Sequence, residues 1–146
     1  MNGFQRRLKE VEGTFQSNCI GTALYLTGER DDDEFIRSED AHKYLARLHQ
    51  SEGPAIGHLV VWQYPIQGRV VAIHMGVVVN LDPLLITDRD RCNGPVNPKI
   101  DIYRVARECG DSTRVFYQPQ NPEFNPLALP KPSTHQQHPQ KALATH

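Results

Sequence analysis

The chain predicts an α+β fold in which N-terminal helices pack on an antiparallel sheet of about five strands. Up to Gln50 apolar side chains recur at helical spacing, and after Gly53-Pro54 β-branched runs take over. Those runs are separated by short connections rich in Pro, Gly, Asn and Asp, which suit strands that turn straight back on one another.

The first helix is marked by Phe4, Leu8 and Val11 and stops at Gly13. A second begins where Ser17 or Asn18 caps it and runs through Ala23 and Leu26 towards Gly28. The nearly unbroken acidic run from Glu29 to Glu34 reads as a solvated loop. From Ser38 to Gln50, acids in the first turn and the stripe Ala41, Tyr44, Leu45, Leu48 predict a third helix. Strands are predicted at 59–62, 70–79, 84–87, 100–105 and 113–117, each a run of β-branched or aromatic residues. Residues 1–118 form the expected folded domain. From 119 to 146 proline recurs in a polar stretch too poor in apolar side chains to offset its ordering entropy, so this part is expected to be mostly irregular.

Composition narrows the function classes. The formal net charge of −1 provides no basic footprint for nucleic acid. No stretch approaches the roughly 20 apolar residues of a membrane span. The three cysteines, Cys19, Cys92 and Cys109, are odd in number and lack C-x-x-C spacing, which argues against a disulfide framework or structural zinc. No metal site is expected. The opening residues lack a secretory apolar run, so a cytoplasmic location is expected, with delivery by a specialised secretion system as the alternative.

The segment Asn18-Cys19-Ile20-Gly21-Thr22-Ala23 and the segment Ile73-His74-Met75-Gly76-Val77 carry the candidate chemistry. A thiol in the first turn of a helix faces unpaired N–H groups and the positive end of the dipole, which favour negative sulfur. The same N–H groups suit the oxyanion of a tetrahedral intermediate. His74 opens an apolar strand and is the candidate base, and Gly76 leaves space on its face. Taken singly, a cysteine in an apolar helix is a small core residue and a strand histidine is satisfied by a backbone carbonyl.

The third group of such a site orients the imidazole. A hairpin pairing Val78 with Leu84 puts Asp88 directly opposite His74, whereas a one-residue change in the loop substitutes Arg89 or Thr87. Asp88 is chemically the best candidate, and Asp90, diagonal on the same face, is the reserve. Cys92 and Cys109 lack a comparable partner and read as structural.

Asn18-Cys19 entering a helix, Gly57-His58-Leu59-Val60-Val61-Trp62, His74-Met75-Gly76-Val77-Val78 and Leu85-Ile86-Thr87-Asp88 together resemble the NlpC-type cell-wall endopeptidases of the papain-like superfamily. The resemblance covers roughly residues 15 to 118. It implies a papain-like fold, amide hydrolysis in peptidoglycan stem peptides through Cys19, His74 and a third residue near Asp88, and no cofactor. This chain has Asn18 where the family usually has an acid, His58 where it has the Asp of a Gly-Asp-Leu step, and an aspartate where the third residue is often histidine. Acyltransfer or deamidation on the same fold remains open. So does an inactive binding module that uses the Pro-rich tail, or a toxin paired with an immunity or adaptor protein.

Overall fold

A computed structural model describes residues 1–106 and 109–130. Helix α1 (Gly3–Glu12) starts at a capping box: the Asn2 side chain accepts from Gln5 N at 2.9 Å, and Gln5 Oε1 accepts from Asn2 N at 3.0 Å. Helix α2 (Cys19–Leu26) is capped by Asn18, whose Oδ1 accepts from Gly21 N at 2.9 Å. Helix α3 is a single turn, His42–Leu45, preceded by a 3-10 turn at Ser38–Asp40. The strands are β1 (His49–Ser51), β2 (Leu59–Ile66), β3 (Arg69–Asn80), β4 (Leu85–Arg89) and β5 (Val96–Asp101). Helix α4 (Ile102–Ala106) and strand β6 (Thr113–Gln118) follow.

The sheet is antiparallel, with six strands in the order β1-β6-β2-β3-β4-β5. Strands β2 and β3 lie inside it and are covered on both faces. Leu59, Val61, Met75 and Val77 pack with Phe4, Val11, Leu24 and Leu45 from the helical layer. Val60, Trp62 and Val78 pack on the opposite face with Ile86, Ile102, Val105 and Phe116. Burial on both faces explains the uninterrupted apolar run from Leu59 to Trp62.

The fold departs from the sequence reading in three places. The sheet has six strands rather than five, because the expected helix over 38–50 ends at Leu45 and His49–Ser51 pairs with β6. The apolar stripe is real, with Ala41 and Leu45 buried, but edge pairing takes the chain after Leu48. The expected strand over 100–105 is β5 ending at Asp101, followed by α4. Asp101 Oδ1 accepts from Tyr103 N at 2.8 Å, and Ile102 and Val105 are buried at helical spacing. Finally, Val78 pairs with Ile86 rather than Leu84, moving the β3–β4 register by two residues.

The acidic loop is also more than a solvated run. Asp33 accepts from Thr22 Oγ1 at 2.7 Å and pairs at 3.1 Å with Arg89, whose side chain is fully buried. Arg89 further donates to Thr22 Oγ1 at 2.7 Å and to the carbonyls of Thr14, Gly94 and Val11. One guanidinium therefore ties α1, α2, the acidic loop and β4 together.

Past β6, Phe124 is buried, while Leu127 and Leu129 are exposed. Asn2 Nδ2 donates to the carbonyls of Pro126 and Ala128, and Asn125 Nδ2 to that of Ile56, so this segment is fastened to the body. The rest of the Pro-rich tail, 131–146, lies outside the described residues. Among the described residues, no helix is long and apolar enough to cross a membrane.

Candidate active site

His74 is set by three neighbours. It pairs with Trp62 across β2–β3, and the two rings lie 5.4 Å apart at 52°. On the other side, β4 ends at Arg89, which leaves His74 beyond the last β3–β4 pair, Gly76 with Asp88. Asp88 is thus diagonal to His74 on the same face rather than directly opposite. The diagonal is open because Gly76 stands between them: a Cβ there would lie 2.8 Å from Ile86 Cδ1 and 2.9 Å from Thr87 O. Across that gap His74 Nε2 meets Asp88 Oδ2 at 2.7 Å.

Asp88 is held in turn, because Asn97 Nδ2 of β5 donates to its Oδ1 at 2.8 Å. Each carboxylate oxygen therefore has its own partner, which fixes the plane of the group and hence of the imidazole. Burial alone lowers the pKa of His74, but the hydrogen bonds to Asp88 and to Cys19, with their charges, outweigh it and push the group up to about 10. With Nε2 taken by Asp88, Nδ1 is the ring nitrogen left for the Cys19 thiol.

Cys19 occupies the first turn of α2 and is 7% exposed. Its helix start is clamped by Asn18, whose Nδ2 donates to Ile36 O at 2.7 Å and whose Oδ1 accepts from Ile36 N at 3.2 Å. Cys19 and His74 line one cleft of about 380 Å³. A second cleft of about 550 Å³ lies on the Asp88 side of the imidazole, with Asn97, Asp90 and Arg104 on its walls. His74 and Asp90 border both.

The structure thus brings Cys19, His74 and Asp88 together. Asp90 lines the clefts, but its backbone N–H goes to Pro95 O at 2.8 Å and His74 is bonded to Asp88 instead. Thr87 sits on the opposite face and donates to Pro98 O at 2.7 Å. His58 is elsewhere, its Nδ1 3.1 Å from Ser51 Oγ. Cys92 and Cys109 line the same cleft as Cys19, and no disulfide joins the three.

Sequence reasoning passed over Asn97, because the strand expected at 100–105 left it in a loop. The available signal was the run Val96-Asn97-Pro98, in which a polar residue lies between positions suited to an edge strand. Among the described residues, no group of three or more His, Cys, Asp or Glu side chains is placed to hold a metal ion. Comparison with protein-family models, with curated proteins and with solved structures finds no match for this chain.

Proposed function

We propose that the protein is a thiol hydrolase of papain-like, NlpC-type design that cleaves an amide bond. The observation that carries this reading is the relay from Asn97 through Asp88 and His74 to a thiol in the first turn of a helix. A histidine raised to about 10 is an imidazolium at neutral pH, placed to give a proton to the leaving group when the Cys19 sulfur attacks a carbonyl. The N–H groups of Cys19 and Ile20, in the first turn of α2, have no acceptor within the helix and suit the oxyanion.

In the first step the sulfur forms a bond to the carbonyl carbon, and the C–N bond breaks as His74 gives its proton to the leaving amine. In the second, His74 takes a proton from water, the resulting hydroxyl adds to the thioester carbon, and the C–S bond breaks to regenerate the thiolate. Asp88 holds the ring in one orientation throughout. The resemblance to cell-wall endopeptidases makes peptidoglycan stem peptides the first substrates to try.

The test is incubation with stem-peptide fragments and a panel of other amides, followed by mass spectrometry of the protein. The expected result is product together with an acyl adduct on Cys19. Both disappear in Cys19→Ala while the far-ultraviolet spectrum is unchanged. Full turnover by Cys19→Ala rejects the assignment.

A further inference from the structure

Two exposed apolar side chains line the cleft that holds the Cys19 thiol, and each is placed by a backbone device. Opposite Trp62 stands His74, yet the next pair along is Gln63 with Ala72, so Ile73 is the extra residue of a β-bulge. A bulge breaks the in-and-out alternation of a strand and turns one side chain to a new direction. Ala72 and Met75 stay in the core beneath the helices, while Ile73 is turned out, 36% exposed, into the cleft that holds Cys19.

Phe35 lines the same cleft and is 52% exposed. The chain that carries it is held close to α2. Glu34 O comes 1.9 Å from where a Cβ on Gly21 would be, an approach that only glycine permits. One residue beyond Phe35, the Asn18 amide grips both backbone groups of Ile36. Asn18 therefore sets the start of the nucleophile's helix and the position of Phe35 with the same side chain.

We propose that Phe35 and Ile73 form the apolar wall of an acyl-side subsite, selecting amides that carry a large aliphatic or aromatic side chain next to the scissile carbonyl. Two large apolar groups held in water beside a nucleophile leave apolar area to be covered, and a substrate side chain covers it during attack. Charged or very small side chains gain nothing there. This assignment rests on the thiol-hydrolase reading and deepens it by naming the side chain that the site selects.

The experiment uses peptide chloromethyl ketones that differ only in the residue next to the ketone: leucine, alanine or aspartate. In the labelling step a C–S bond forms to the methylene carbon and chloride leaves. Each rate at Cys19, read by mass spectrometry, is divided by the rate with iodoacetamide, so that intrinsic thiol reactivity cancels. The leucine reagent is expected to lead the alanine and aspartate reagents by about tenfold or more. Phe35→Ser and Ile73→Ser should each shrink that lead several-fold, and Phe35→Leu should retain most of it. Equal normalised rates for all three reagents on the natural protein, or an unchanged lead in both serine variants, overturn the subsite and leave the nucleophile standing. No labelling of Cys19 by any reagent, iodoacetamide included, overturns the hydrolase reading instead.

Discussion

Asp88 and Arg89 are consecutive residues of β4, both charged and both buried, and they do opposite kinds of work. Asp88 faces the clefts, with one oxygen on His74 and the other on Asn97. Arg89 faces the helical layer, where five of its six hydrogen bonds go to residues before position 40 or to their backbone. A strand alternates its side chains, so adjacent positions serve different layers of the molecule. Burial and charge look alike in the sequence, and the partner decides whether a buried charge is structural or chemical.

That contrast is open to direct attack. Arg89→Ala removes the cation from a network that includes the Asp33 carboxylate, and the expected cost is about 3–5 kcal/mol of folding stability. Urea denaturation measures it, and a loss no larger than that of Asp88→Asn breaks the distinction. Asp88→Asn keeps the shape but not the charge facing His74, and turnover should fall about a hundredfold with a smaller stability change than Arg89→Ala. Steady-state kinetics beside the same urea titration separates the two effects.

Gly76→Ala tests the diagonal between His74 and Asp88. Its methyl would press on Ile86 and on the Thr87 carbonyl, so β4 must move, at an expected cost of about 1–3 kcal/mol. Activity should fall with it, because Asp88 moves with the strand; a fully active Gly76→Ala shows that the diagonal tolerates displacement.

The pH dependence of stability gives a fourth test. His74 is raised in the folded protein from 6.5 to about 10, so its stabilising contribution is complete below pH 6.5 and is lost as pH rises through 10. Urea midpoints should therefore decline from pH 6.5 to 10 in the natural protein, and more gently in Asp88→Asn. Parallel slopes would show that Asp88 has little part in holding the proton.

The sequence made some of this legible and hid the rest for physical reasons. Helices α1 and α2 carry caps and stops, and β2, β3, β4 and β6 carry apolar runs, all of which are local signals. Strand β1 is a short polar edge whose existence depends on β6, far along the chain, so nothing near His49 announces it. In β5 and α4 the alternation Ile100-Asp101-Ile102 imitates a strand, and only the Asp101 cap and the Ile102–Val105 spacing mark the change to helix.

Cys19 and His74 stood out by chemical type in an apolar setting. Asp88 was reached through a register that differs by two residues from the real one, and the two-residue periodicity of a strand kept it on the correct face. Asn97, Asp33 and Arg89 were out of reach because their roles come from partners brought together by the fold. The bulge at Ile73 is hidden for the same reason: it is a relation between two strands and not a property of either.

The central claim is that His74 activates Cys19, and the rate of iodoacetamide labelling at each cysteine near neutral pH tests it most directly. The account predicts that Cys19 reacts about tenfold or more faster than Cys92, although Cys92 is the more exposed, and that His74→Ala abolishes the lead. Equal, slow labelling of Cys19, Cys92 and Cys109 in the natural protein would contradict it.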